Sequence, residues 1–313
     1  MTGVGNITSK NLAQVNRSVR ACDYLSVAQI YLRDNFFLER PLKSQDIKPR
    51  LLGHWGTCHG INVAYANLRA FFAENPNFHF VLGPGHGFPA LQANLFLGGE
   101  LEKIDPKATL NKQGIAYLCK NFSWPDGFPS HASPATPTVI TEGGELGYAL
   151  ANAYGLALGH PEKTIAVLIG DGELETATAL ASLNLKNLLS GPKNGKVLPI
   201  LHLNGYKISA PSIYARKPEI ELDCLLAGFG FEPVWIRSDD PMDFQLALAA
   251  PNSNPFFILK TEKGETGPNR HHESHQIPLK NPKTDEKELK ILENWLKSYN
   301  FSEFLTPKGE LNV

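Results

Sequence analysis

Short apolar runs alternate with amphipathic segments along most of the chain. The apolar runs have the length and composition of buried strands, and the segments between them carry apolar residues at the three- to four-residue spacing of helices. Strands are predicted at 78–82, 164–169, 197–203, 232–237 and 255–261, and helices at 19–35, 61–72, 90–97, 149–158, 174–190, 219–227, 241–250 and 284–299, with a loop-rich stretch at 99–127. This alternation predicts an α/β fold in which helices flank a parallel sheet.

The stretch 169–206 combines two of these strands with candidate ligands. Asp171 stands between two glycines directly after the strand 164–169, and Asn204 follows the strand 197–203. In a parallel strand–helix–strand unit the carboxyl ends of both strands open on one edge, so the two side chains are expected to lie side by side. A carboxylate and a carboxamide suit a hard divalent cation, and the glycines allow a phosphate group to approach the backbone.

Histidines in tight loops add to this pattern. His54 and His86 stand between or beside glycines, and His131 lies in a proline-flanked turn; for His54 alone, a turn histidine bonded to backbone is an equally good interpretation. Lys263 and His275 follow the strand 255–261. Ligands bind outside the carboxyl ends of strands in open parallel sheets, so these loops are expected to form a single site.

Composition limits the class of protein. With 313 residues, of which 42% are hydrophobic and 19% charged, the chain is long enough for one large α/β domain with extensions. We expect a helical and extended arm at 1–50, the main domain at 51–280, and a C-terminal helix and tail at 281–313. The net charge of −1 provides no general basic surface for nucleic acid.

Targeting signals are not evident in the sequence. No apolar run reaches the roughly 18 residues of a membrane span, and the polar first ten residues do not indicate a signal peptide. We therefore expect a cytoplasmic protein that binds neither a membrane nor nucleic acid. The four cysteines are widely spaced and lack a CxxC pattern, so free thiols are expected rather than a disulfide framework or a metal cluster.

The candidate residues together describe a site for a diphosphate bound through a metal ion. They comprise two oxygen ligands, several histidines, a lysine and glycine-framed backbone amides. A Walker loop is absent, because no GxxxxGK[ST] pattern occurs, and no GxGxxG opens a helix after the first strand, as a dinucleotide site would require.

The segment from Gly170-Asp171-Gly172 to Asn204 resembles the thiamine diphosphate motif of transketolase-like enzymes. The flanking runs resemble phosphoketolase in particular, and transketolase itself is a poorer match. The resemblance extends over about residues 31–311, and the matching runs are 40–43, 46–57, 83–87, 129–131, 142–148, 170–173 and 198–208.

This resemblance implies a thiamine diphosphate-binding domain of the transketolase type, with Mg²⁺ or Ca²⁺ between the protein and the diphosphate. The implied metal ligands are Asp171, Asn204 and a backbone carbonyl near Tyr206. The implied cofactor contacts are Thr57, Gly144, Glu145, Leu146, Gly170, Gly172, Glu173, Asn204 and Lys263. The matching active-site positions, which would bind diphosphate oxygens and relay protons, are His54, His86, His131, Lys263 and His275.

The implied reaction is that of a phosphoketolase-like lyase, which cleaves xylulose 5-phosphate or fructose 6-phosphate with inorganic phosphate and yields acetyl phosphate and an aldose phosphate. Family members continue past a position like Leu311 into a pyrimidine-binding domain that supplies the glutamate activating the cofactor. We therefore expect a pyrimidine-domain partner chain, or the remainder of a longer chain, without which this chain is inactive.

The sequence departs from the family pattern at three places, and the last of these departures leaves the substrate open. They are Cys58-His59-Gly60 after Thr57, the loss of a carboxylate in 134–138, and two added acids, Glu262 and Glu265, beside Lys263. The alternatives are a transketolase-like subunit that acts on a different ketose or 2-oxo donor, and a non-catalytic cofactor-binding or regulatory subunit.

Overall fold

The computed structural model describes residues 8–237 and 239–313, and a five-stranded parallel sheet lies at its centre. The strands are β1 (Phe78–Leu82), β2 (Thr164–Gly170), β3 (Lys196–Leu203), β4 (Glu232–Ile236) and β5 (Pro255–Lys260), in the spatial order β1-β2-β3-β5-β4. The predicted α/β fold is confirmed, and each strand lies within one residue of its predicted bounds.

Helices cover both faces of this sheet. Their bounds are α1 (Ser9–Tyr31), α2 (Cys58–Phe71), α3 (Phe88–Leu97), α4 (Lys112–Asn121), α5 (Ala149–Gly159), α6 (Asp171–Leu174), α7 (Ala177–Ser182), α8 (Glu219–Gly228), α9 (Pro241–Ala249) and α10 (Glu286–Ser298). Helices α1 to α4, α9 and α10 contribute to one apolar core, and α5 to α8 contribute to the other.

The strands are apolar on both faces, as expected for a parallel sheet with helices on each side. Along β3, Leu198 and Ile200 point into the core of α1 and α2, whereas Leu201 and Leu203 point into the core of α5 and α8. In the pairing of β2 with β3, Leu168 lies beside Ile200.

The prediction of one continuous helix at 174–190 is wrong, because this segment is interrupted in the structure. The structure has the short α6, then α7, then a 3₁₀-helix at Leu183–Leu188. The break is at Thr176, whose backbone is extended and whose hydroxyl accepts a hydrogen bond from Ala179 N at 3.2 Å. A threonine side chain in this position starts a new helix, because it satisfies one of the free N–H groups of the first turn.

Two other helices differ from the prediction. Helix α4 lies within the stretch 99–127 that was expected to be mainly loop; Asn111 caps it, and Ile115 and Leu118 are buried. Helix α1 begins ten residues before the predicted start at 19, because Thr8 provides an N-cap and the first turns still bury Val15. The division into an arm, a main domain and a tail stays a prediction, and the first seven residues of the arm lie outside the described part.

Within residues 8–237 and 239–313, no helix combines the length and the hydrophobicity needed to cross a membrane. All four cysteines are free thiols; Cys22, Cys58 and Cys119 are buried and Cys224 is exposed.

Candidate functional site

The loops that follow four of the strands meet along one edge of the sheet. Because the strands are parallel, their carboxyl ends share this edge. His86 follows β1, Asp171 follows β2, Asn204 follows β3 and Lys263 follows β5. Side chains that are far apart in the sequence are therefore placed on one side of the molecule.

Four histidines and a lysine form a compact group at this edge, which we call the histidine–lysine cluster. The ring of His54 is central, with centroid distances of 5.1 Å to His86, 5.2 Å to His131 and 5.1 Å to His275. The rings of His86 and His275 lie 5.3 Å apart. Lys263 belongs to the group because its Nζ lies 3.1 Å from His275 Nδ1.

Backbone hydrogen bonds between loops position the cluster. Trp55 N donates to Gln276 O at 2.8 Å, which joins the neighbours of His54 and His275. Ala132 N donates to Gly85 O at 2.9 Å, which joins the neighbours of His131 and His86. The indole of Trp55 is fully buried and packs edge-on against Trp295 with 4.9 Å between ring centroids. The loop that carries His54 is therefore fixed by packing on one side and by backbone bonds on the other.

Burial and nearby positive groups disfavour protonation of three of the histidines. The pKa of His54 is lowered to about 3, first by burial and then by the neighbouring histidines and Lys263. The pKa of His275 falls to about 4, by burial and then through Lys263, and burial takes the pKa of His86 well below its usual value. Burial lowers the pKa of Lys263 itself to about 8. At neutral pH these three imidazoles are neutral and lie beside an ammonium group, so they can donate or accept a proton.

Asp171 is held by three donors at the carboxyl end of β2. Its Oδ1 accepts from Gly172 N at 2.9 Å, and its Oδ2 accepts from Gly205 N at 2.8 Å and from Ser212 Oγ at 2.9 Å. The side chain is 2% exposed, and burial raises the pKa of Asp171 to about 6 although the three donors lower it. Gly205 has φ +91°, a conformation that favours glycine, and this turn brings its N–H and Ser212 back towards the carboxylate.

Asn204 adjoins Asp171, as the strand pattern predicts, since the residue after it donates to the carboxylate. Its Oδ1 accepts from Tyr206 N at 3.1 Å, and its backbone carbonyl accepts from Lys263 N at 3.2 Å. Asp171 Oδ1 and Asn204 Oδ1 each accept one N–H from the protein, which leaves a second lone pair on each oxygen.

The cation-binding role of these oxygens stays a prediction. In the described part of the chain, no group of three or more His, Cys, Asp and Glu side chains could hold a metal ion. The predicted ligand set is of another kind, because it consists of one carboxylate, one carboxamide and the backbone carbonyl near Tyr206. The Tyr206 ring itself stacks on His271 with 4.7 Å between centroids.

The other predicted cofactor contacts have different surroundings. Gly144, Glu145 and Leu146 are exposed in the loop before α5. Glu173 is buried and holds this loop to β2, because its carboxylate accepts from Gly147 N at 3.1 Å and from Gly170 N at 3.2 Å. Burial raises the pKa of Glu173 to about 7. Both of its oxygens are therefore engaged by the backbone, which gives this residue a supporting position.

Three residues of the site were not identified from the sequence. Ser212 binds Asp171, the Lys207 carbonyl accepts a hydrogen bond from Lys263 Nζ, and His202 accepts or donates at 3.1 Å to the hydroxyl of Thr57. Only His202 carries a sequence signal, because it is a polar residue at a core position of an apolar run. Ser212 and Lys207 reach the site through the turn at 205, which spacing alone does not reveal.

Comparison with known proteins identifies the family. The model of the XFP N-terminal domain matches residues 6–254 and 248–313. A probable phosphoketolase of Brucella suis biovar 1 (strain 1330) is 41% identical over 342 residues, which cover 99% of this chain and 43% of that protein. A probable phosphoketolase of Rhodopseudomonas palustris (strain BisB5) is 42% identical over 323 residues, which cover 93% of this chain and 41% of that protein. The chain thus spans less than half the length of these curated relatives.

Solved structures of transketolases have the same fold. The transketolase from Campylobacter jejuni subsp. jejuni NCTC 11168 has a TM-score of 0.62 at 19% identity, with 95% of this chain and 47% of that chain covered. The transketolase from Leishmania mexicana has a TM-score of 0.61 at 18% identity, with 93% of this chain and 45% of that chain covered. At this identity the likeness shows the fold alone. Taken with the family model and the relatives at about 41% identity, it shows that the chain belongs to the phosphoketolase family, of which it carries the N-terminal domain.

Proposed function

We propose that this chain is the diphosphate-binding part of a thiamine diphosphate-dependent, phosphoketolase-like lyase. The reaction takes a ketose phosphate and inorganic phosphate to acetyl phosphate, an aldose phosphate and water. Xylulose 5-phosphate and fructose 6-phosphate are the candidate substrates. The observation that carries the proposal is the histidine–lysine cluster, which lies at the same edge of the sheet as Asp171 and Asn204.

The residues present fit the diphosphate and its cation. Asp171 Oδ1 and Asn204 Oδ1 would bind Mg²⁺ or Ca²⁺ with their remaining lone pairs, together with the backbone carbonyl of Tyr206. Among the described residues, a Cβ at Gly144 would meet no atom within 4 Å, so open space adjoins that backbone. His54 Nδ1 is buried and has no hydrogen-bond partner in the part of the chain that the structure describes, so a ligand in the cluster would satisfy it.

The chemistry divides between the cofactor and the protein. When bound, thiamine diphosphate supplies the carbon nucleophile that attacks the ketose carbonyl. The neutral rings of His54, His86 and His275 would take protons from sugar hydroxyls and return them, which is the task of a general acid–base pair. Lys263, whose pKa of about 8 keeps most of it charged at neutral pH, would bind a phosphate or diphosphate oxygen.

The two added acids do not neutralise Lys263. Glu262 binds Arg270 at 3.1 Å and His271 at 3.1 Å, and Glu265 accepts from Glu262 N at 3.2 Å. Both carboxylates are therefore engaged by partners other than Lys263. This arrangement supports a substrate with phosphate groups over a different donor.

A pyrimidine-domain partner, or the remainder of a longer chain, would complete the site. Large apolar side chains are exposed around it: Leu146 at 41%, Tyr148 at 47%, Ile208 at 67% and Ile213 at 40%. Exposed apolar patches beside a site mark surfaces that bind another protein or domain. We infer that this surface receives the domain whose glutamate activates the cofactor, so the chain alone binds cofactor but does not turn over substrate.

A reconstitution experiment tests the proposal. The 313-residue chain is mixed with the protein encoded by the neighbouring reading frame, with thiamine diphosphate, Mg²⁺, phosphate and xylulose 5-phosphate, and acetyl phosphate is measured as its hydroxamate. We expect acetyl phosphate only when both chains are present. Cofactor binding by the mixture without any reaction of xylulose 5-phosphate, or of fructose 6-phosphate in a parallel assay, would contradict the phosphoketolase assignment and favour the regulatory alternative.

A further inference from the structure

His202 is a polar residue in an apolar row. It follows Leu198 and Ile200 on the face of β3 that packs against α2, and it is 1% exposed. Both ring nitrogens nevertheless have partners: Nδ1 lies 3.1 Å from Thr57 Oγ1, and Nε2 lies 2.8 Å from Thr261 Oγ1. A buried imidazole that made only one of these bonds would leave a polar atom unsatisfied, which is unfavourable.

The two threonines belong to segments that carry the site. Thr57 lies three residues after His54 and immediately before α2, and Thr261 lies two residues before Lys263. His202 itself lies two residues before Asn204. One ring therefore touches the histidine loop, the lysine loop and the strand that ends in the predicted cation ligand.

The ring has no room to move. Gly60, in the first turn of α2, lies so close that a Cβ there would come within 2.8 Å of His202 Cδ2 and closer still to Nε2. On the sheet, His202 lies between Gly170 of β2 and Leu259 of β5. The contact with Gly60 and the two hydroxyl bonds fix the ring in one orientation.

From these contacts we infer that His202 is a positioning residue that sets the distance between His54, Asn204 and Lys263. It does not touch a ligand, because the Thr57 and Thr261 hydroxyls occupy both ring nitrogens. Its contribution is the spacing between the two halves of the site: the histidine loop in front of α2, and the ends of β3 and β5.

The test compares His202→Ala with Ile200→Ala in the 313-residue chain. Both changes shorten a buried side chain on the same face of the same strand. The Ile200 side chain has no polar atom, so it cannot form a hydrogen bond with the histidine loop or the lysine loop. Two quantities are measured: the Kd for thiamine diphosphate with Mg²⁺, and the rate at which an acylating reagent labels Lys263 at fixed pH, located by mass spectrometry. Only the first rests on the proposed function.

We expect His202→Ala to weaken cofactor binding at least tenfold. We also expect the reagent to label Lys263 at least tenfold faster in this variant, because Lys263 is 3% exposed and the loop that carries it loses the bond between Thr261 and His202. Ile200→Ala should change both quantities less than threefold. If Lys263 is labelled at the same rate in the two variants, His202 only fills space and the inference is wrong. A wild-type chain that binds no cofactor would refute the proposed function, while the labelling comparison still decides the role of His202.

Two milder variants keep the inference testable if His202→Ala does not fold. A glutamine amide can reach the position of Nε2 and retain the Thr261 bond, whereas an asparagine amide can reach only the position of Nδ1 and retain the Thr57 bond. We therefore expect the reagent to label Lys263 in His202→Gln at close to the wild-type rate, and to label it several-fold faster in His202→Asn. The opposite order would overturn the inference.

Discussion

The contact between α2 and His202 gives a sharp prediction for Gly60→Ala. In an ordinary helix this change is favourable, since alanine is about 1 kcal/mol better than glycine. Here the new methyl group would lie 2.8 Å from His202 Cδ2, and closer still to Cε1 and Nε2, which is well inside the roughly 3.5–4.0 Å optimum for carbon atoms. The ring cannot yield without losing its bonds to Thr57 and Thr261.

The expected magnitude follows from these two effects. Overpacking a close-packed core costs typically about 1–3 kcal/mol, and this overlap belongs at the upper end because the ring is held on both sides. After the helix gain of about 1 kcal/mol, Gly60→Ala should lower the free energy of unfolding by about 2 kcal/mol. Urea unfolding followed by tryptophan fluorescence measures this as a shift of the midpoint.

A matched control is Gly155→Ala in α5. Within residues 8–237 and 239–313, a Cβ at Gly155 meets no atom within 4 Å, so this variant should show the helix gain alone, about 1 kcal/mol. The double variant Gly60→Ala, His202→Ala should lose less than the sum of the single losses, because the methyl group then occupies space vacated by the ring. If Gly60→Ala stabilises the chain as much as Gly155→Ala does, the His202 ring does not pack closely against α2, and the account is contradicted.

Two further predictions concern buried titratable groups. The pKa of His54 is about 3 in the folded chain and about 6.5 unfolded, so only the unfolded state takes up this proton as the pH falls. The stability of wild type relative to His54→Gln should therefore decrease by about 2 kcal/mol between pH 7.5 and pH 5 in urea unfolding; a constant difference would refute a neutral His54. Asp23 lies 2.8 Å from His59 and also accepts from Asn62, and all three are buried. Asp23→Ala leaves His59 without its partner and should cost about 3–5 kcal/mol, whereas a loss below about 1 kcal/mol would contradict a buried pair.

The strands and the edge where the site lies were predictable because both follow from local patterns. Apolar runs such as 164–169 and 255–261 are short, and each is followed by glycine or polar residues that end it. Once the strands are parallel, the meeting of Asp171 with the residues after β3 follows from topology. No further information about tertiary contacts is needed for that step.

The parts that were missed depend on contacts between distant segments. The break at Thr176 arises because a hydroxyl caps a new helix, and threonine is common enough inside helices that spacing gives no warning. The apolar residues of helix α4 form one continuous run at 115–119 rather than recurring at helical spacing, and those that are buried lie in the core that α4 shares with α1. The hydrogen bonds that the Glu173 carboxylate accepts from Gly147 N and Gly170 N join separate segments, so spacing did not reveal them; its contact with the cofactor stays a prediction.

The most direct test of the central claim is a titration of the chain with thiamine diphosphate by calorimetry, with and without Mg²⁺. If Asp171 and Asn204 hold the cation that binds the diphosphate, cofactor binding should require Mg²⁺. The Asp171→Ala variant should then bind the cofactor much more weakly than the wild type in the presence of Mg²⁺, and adding Mg²⁺ should no longer strengthen its binding. Tyr206→Phe is the matched control, because only its backbone carbonyl would bind the cation, and it should bind like the wild type. Cofactor binding that is equally tight in Asp171→Ala, or that does not depend on Mg²⁺, would contradict the account.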